Sequence, residues 1–169
     1  MTLDAPRSRA RSTGFGAPAA MLVTLLALLA TAPTPGRGPL TVPDSLRFTL
    51  IAPDTIRTGQ PVRIVLHLTN ITTHTVEAHF LGRDIAFDIV VADKDGRVVW
   101  HRLAHAVVPG ILQVKTLTPQ ERLEFSEVWP QKDDDGKPVA AGSYSLWGVL
   151  PSDEKEPRRT ETASLRITP

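Results

Sequence analysis

Five histidines and two Asp-x-Asp-Gly runs hold most of the chemistry this chain could do. The histidines are His67, His74, His79, His101 and His105. His101 and His105 have the spacing of two zinc ligands on a helix, but Arg102 stands where a zinc protease needs its glutamate. Pro109 and Gly110 follow closely and the preceding segment alternates like a strand, so the pair reads as loop histidines. The run "DKDGRVVW" (Asp93 to Trp100) contains a fragment of a calcium loop. With Gly96 as the sixth residue of such a loop, Val91 would be the first ligand and Arg102 the twelfth. Neither can replace an Asp or a bidentate Glu. The second run, Asp133-Asp-Asp-Gly136, fails in the same way, with Gln131 first and Gly142 twelfth. Asp93 to Gly96 therefore reads as a tight hairpin turn, its Asp-Gly supplying positive φ. The three consecutive aspartates read as a solvated loop.

Other reactive groups are no better arranged. The chain has no cysteine, which excludes disulfides, thiol catalysis and thiolate metal sites. No serine sits in a Gly-x-Ser-x-Gly elbow and no glycine-rich phosphate loop occurs. Glu121, Glu124 and Glu127 have the look of solvent-facing charge. Asp88 is the one acid within a strongly apolar strand, and it reads as facing solvent or bonding a nearby turn. Asn70-Ile-Thr72 matches a glycosylation sequon of the kind that arises often by chance. No catalytic set, cofactor site or metal site emerges. A net charge of +1 and a pI of about 8.2 give no field for nucleic acid.

The elements that must carry these residues are short strands. Leu46, Phe48 and Leu50 alternate on one face of residues 46–51. Val62, Ile64, Leu66 and Leu68 do so in residues 61–69, the period of a half-buried strand. Further strands are expected at 85–91, with Ile85, Phe87, Ile89 and Val91 facing one way, and at 97–100, 111–117, 123–129, 144–150 and 163–167. Fifteen prolines and recurrent turn signals argue against long helices. The expected fold is an all-β, Ig-like antiparallel β-sandwich over residues 44–169. Its core should rest on Tyr144 and on Trp100, Trp129 and Trp147, at least two of these tryptophans being largely buried.

Residues 1–32 suggest a signal peptide or N-terminal anchor. Arg7, Arg9 and Arg11 precede an apolar run from Ala19 to Ala30 that is shorter than the roughly 20 residues needed to span a bilayer. Residues 33–43 are rich in Pro and Gly and read as a linker. This composition predicts export to the periplasm, cell surface or exterior, with membrane contact only through an uncleaved N-terminal segment.

Four stretches then occur in a familiar order: "TGQPVRIVLHLTNIT", "FDIVVADKDGRVVW", "LTPQERLEFSEVW" and "AAGSYSLWGVL". Together they resemble the BsuPI-type intracellular proteinase inhibitor domain. Gln60 stands where that pattern usually has an acid, Gln120 where it has Gly after Pro, and Ala141 where it has Pro before Gly. The resemblance implies a non-enzymatic proteinase inhibitor, with a protein partner such as a serine protease. A binding loop would fill a protease cleft while the sandwich holds it rigid. Two loops are candidates: residues 103–110, with Leu103, His105, Val107 and Val108, and residues 131–137, with Lys132, Asp134 and Lys137. The alternative is an envelope Ig-like binding or assembly module for a protein or glycan partner.

Overall fold

The computed structural model describes residues 45–169. The N-terminal segment, the linker and the proposed boundary at residue 44 lie outside the described residues.

Eleven strands and no helix make up the described residues. In chain order they are β1 (Leu46–Ile51), β2 (Thr55–Arg57), β3 (Val62–Asn70), β4 (Val76–Leu81), β5 (Asp88–Asp93), β6 (Val98–His101), β7 (Leu112–Leu117), β8 (Arg122–Trp129), β9 (Gly142–Leu150), β10 (Arg158–Arg159) and β11 (Ala163–Thr168). They form a sheet in the order β1-β3-β8, a larger one in the order β2-β11-β9-β5-β6, and a ribbon of β4 and β7. β10 adds to β9. All pairings are antiparallel except that of β2 with β11, which is parallel. β2 is not among the strands that alternation predicts. A three-residue strand is too short to show a period.

The two larger sheets share one core. Val62, Ile64, Leu66 and Leu68 of β3 are buried, and Phe125 and Leu123 of β8 pair across from Leu66 and Leu68. Opposite them lie Ile89 and Val91 of β5, Leu146 and Leu150 of β9, and Leu165 and Ile167 of β11. The contact is tight at Gly148 of β9, where an added Cβ would stand 2.5 Å from Leu66 Cδ2. The ribbon joins the same core through Ala78, Phe80 and Leu117. Phe80 meets Phe125 edge-on, with ring centroids 6.5 Å apart.

The tryptophans depart from expectation. Only Trp129 is fully buried, at 0% exposure, with its Nε1 donating to the Lys132 carbonyl. Trp100 is half-buried and stacks on it at 6.1 Å. Trp147 is half-buried on the opposite face of β9 from Leu146, covered by the Arg159 guanidinium at 4.2 Å. Alternation decides this. Tyr144 and Leu146 take the inner face, so Trp147 must take the outer one.

Candidate functional site

Both candidate loops lie beside the β5–β6 hairpin. Residues 93–97 turn that hairpin as Asp-Lys-Asp-Gly-Arg. Asp93 Oδ1 accepts from the main-chain N–H groups of Asp95 and Arg97, each at 3.0 Å. The Gly96 N–H donates to the Asp93 carbonyl, and Gly96 has φ 79°. Asp95 is not among the positive-φ residues, so one left-handed position, not two, closes the turn. That is a type I turn followed by a glycine bulge.

Residues 133–137 repeat the device. Asp133 Oδ1 accepts from the Asp135 N–H at 3.0 Å and the Lys137 N–H at 2.8 Å, and Gly136 has φ 80°. The expected solvated loop is thus a second tight turn of the same design, bracketed by a bridge between Lys132 and Pro138. Asp-x-Asp-Gly is a turn signature in both places because the first carboxylate gathers two N–H groups while glycine takes the left-handed position. Burial pulls the Asp93 carboxyl upward, but the Arg97 and Asp95 N–H groups and the Arg97 guanidinium outweigh it and hold it below the usual range. No group of three or more metal-ligating side chains gathers among the described residues.

Asp134 joins the second turn to the first loop. Its N–H donates to the Val99 carbonyl at 3.0 Å. Its Oδ1 accepts from the His101 N–H at 2.9 Å, and its Oδ2 lies 3.5 Å from His101 Nε2. The Asp134 carbonyl lies 2.9 Å from His105 Nε2. His101 Nδ1 in turn faces Asp88 Oδ2 at 3.6 Å. Asp88 bonds a nearby turn, accepting from the Leu103 N–H at 3.0 Å. The two loops, candidates one by one in the sequence, therefore form one continuous surface at this end of the domain.

Within that surface the predicted residues differ in access. Val107 is 93% exposed. His105, Lys132 and Lys137 are exposed, while Leu103, Val108 and Asp134 are half-buried. Lys137 pairs loosely with Asp135 at 3.3 Å. The segment is anchored on both sides. Ala104 and Ala106 donate to the His101 and Leu103 carbonyls upstream, and the Ile111 carbonyl accepts from the Gly82 N–H downstream. Among the described residues the main-chain groups of Val107 and Val108 bond to no other part of the chain. Pro109 restricts Val108 to extended conformations.

Three polar residues that tie the fold together, two at this end of the domain and Asn70 at the far end of β3, gave little sign of it. Arg102 sits over the Phe87 ring at 3.8 Å and donates to Glu127 at 2.8 Å. Glu127 thus lies on the inner side of β8 and is not simply solvent-facing. Gln131 is buried with φ 55°, accepting from the Gly59 N–H and donating to the Arg57 and Gln60 carbonyls. Asn70 is also fully buried, donating to the His74 and Leu117 carbonyls. Its amide is committed inside the fold, so the sequon match is structural. A polar residue where a strand ends is the only sequence signal these positions carry.

The turn at 118–121 bears directly on kinship. Glu121 donates its N–H to the Thr118 carbonyl, Pro119 is second, and Gln120 has φ 64°. This is a type II turn, whose third residue is ordinarily glycine. A family model described as intracellular proteinase inhibitor, BsuPI, matches residues 50–155, more than half of the chain. The chain belongs to the BsuPI family. Gln120 holds this left-handed position without being glycine.

No curated protein matches the chain. Similar solved structures include the CARDB domain of a Pyrococcus furiosus protein, at 12% identity, 72% of this chain, 91% of that chain and a TM-score of 0.38. The Bacillus subtilis sporulation control protein Spo0M matches at 13% identity, 74% of this chain, 50% of that chain and a TM-score of 0.44. Likeness this weak says nothing about function.

The family corrects the expected location. BsuPI proteins are described as intracellular, which conflicts with export. The export expectation rested on the composition of residues 1–43 alone. A basic start and a short apolar run are a generic pattern, and they fall outside the matched and described residues. Among the described residues no helix is long and apolar enough to cross a membrane.

Proposed function

We propose that this protein is a non-enzymatic proteinase inhibitor of Ig-like sandwich architecture, whose 103–110 loop occupies the cleft of a serine protease. The observation that carries the reading is Val107, 93% exposed in a segment anchored on both sides. Protease clefts hold an extended main chain by hydrogen bonds and take side chains into pockets. Val107 and Val108 offer free main-chain groups for that purpose. Anchoring through Asp134, His105 and Gly82 lowers the ordering cost of binding, which is how a rigid loop gains affinity. The family description points to a non-enzymatic role. The Ig-like reading is supported by two facing sheets that share one core.

In this reading the 131–137 turn is a buttress. Asp134 faces inward to the loop, and Lys132 and Lys137 stand at the rim of the contact surface. Blocking is non-covalent, and no bond in either protein need form or break.

A second reading is favoured by β7. Leu112 and Val114 are 46% and 50% exposed, and among the described residues β7 pairs with β4 alone. A partner strand could add to that free edge, making the domain a binding module without protease specificity. Titrating the purified full chain against a panel of active-site-calibrated serine proteases separates the two. Stoichiometric loss of activity in at least one protease supports the inhibitor. Full activity across the panel at micromolar chain rejects it in favour of the module.

A further inference from the structure

The loop also bears on which kind of protease it fits. We infer that Val107 is the residue read by the protease's primary specificity pocket, and that the partner is a serine protease preferring small aliphatic side chains. This rests on the inhibitor reading above.

A primary pocket takes one side chain that projects freely while its neighbours are held. Within 103–110, Leu103 is tied through its N–H to Asp88, and His105 is engaged with the Asp134 carbonyl. Val108 is half-buried, and Ala104 and Ala106 offer only a methyl group. Val107 alone combines a branched apolar side chain with nearly full exposure.

Charge excludes the other large pocket classes. Residues 103–111 contain no Lys, Arg, Asp or Glu. The adjacent Arg102 is turned away, stacked on Phe87 and bonded to Glu127 and to the Phe87 carbonyl. A pocket with a buried carboxylate would find no cation within this loop to enter it, and its charge would be desolvated without a partner. The loop has no aromatic residue either, so a deep slot would be left underfilled. A shallow apolar pocket matches an aliphatic β-branched side chain in both volume and polarity.

The test uses the full chain and three proteases of elastase, chymotrypsin and trypsin specificity. The wild-type chain should inhibit the elastase-type enzyme best, by about tenfold or more, the range that one or two methyl groups confer in an apolar pocket. Val107→Ala should weaken that inhibition by about tenfold or more. Val107→Lys should abolish it and confer inhibition of the trypsin-type enzyme. Because Val107 is so exposed, both variants should keep native Trp129 fluorescence. Tightest wild-type inhibition of the trypsin- or chymotrypsin-type enzyme overturns the specificity and leaves the inhibitor reading intact. So does inhibition unchanged in Val107→Lys. Inhibition of none of the three overturns both.

Discussion

His105 Nε2 lies 2.9 Å from the main-chain oxygen of Asp134, so the loop after β6 and the turn before β9 are held as one surface. Asp134 strengthens the tie with its own side chain, accepting from the His101 N–H at 2.9 Å. Asp134→Ala removes that acceptor and leaves a part-buried N–H unpaired. The expected loss is about 1–2 kcal/mol of stability. Inhibition should weaken further than stability explains, because the loop loses its buttress. Denaturant titration beside an inhibition assay measures both.

The two Asp-x-Asp-Gly turns should respond alike. Gly96→Val and Gly136→Val place a β-branched residue at φ 79° and 80°. Each should cost about 1–2 kcal/mol, the penalty for an ordinary side chain in the left-handed region. Neither turn has a calcium-loop ligand set, so millimolar calcium should leave the thermal midpoint unchanged. A midpoint that rises with calcium and falls back with chelator speaks against the turn assignment.

Acid should weaken the first turn. The Asp93 carboxyl is held below its ordinary value, so its contribution is present above the unfolded value near 3.8. It is lost as pH falls through the lower folded value. Glu121 behaves the same way, lowered by hydrogen bonds from the Thr118 N–H and hydroxyl. Asp93→Asn should therefore flatten the fall of stability as pH drops below about 3.8. A pH profile identical to wild type removes Asp93 from the acid response.

Gln120→Gly should stabilise the domain by about 0.5–1 kcal/mol. Glycine relieves the left-handed strain at φ 64°, offset in part by its freer unfolded chain. A lowered midpoint in thermal melting counts against the type II assignment.

Gly148→Ala should do the reverse. The new methyl would meet Leu66 at 2.5 Å and Thr160 Cγ2 at 3.2 Å, inside a closed core. Overpacking of this kind costs about 1–3 kcal/mol. Pairing it with Leu66→Val should recover part of the loss, which a double-mutant cycle reads directly.

Much of the fold was legible because alternation is a local property. Val62, Ile64, Leu66 and Leu68 announce a strand and its buried face without help from any other segment. The short pieces were not legible. β2 and β10 exist because β11 and β9 offer edges, and nothing within three residues encodes that. Trp147 misled because aromatic size suggests burial, whereas strand parity assigns the face. The candidate loops were visible as breaks between strands. Their union was not, because it depends on Asp134 lying beside Val99 and His101, far apart in the chain.

The central claim is that the 103–110 loop is the inhibitory contact, made through its exposed part at residues 106–110. The most direct test is the inhibition constant of the full chain against a protease it blocks, measured before and after those five residues are replaced by Gly and Ser. Val107 and Val108 bond to nothing else among the described residues. The replacement should therefore leave Trp129 fluorescence native and the melting point within a few degrees. It should also raise the inhibition constant by about a hundredfold or more, the loss expected when a few central contacts carry the binding. A native-like replacement chain that inhibits as tightly as wild type would place the contact elsewhere and contradict the account.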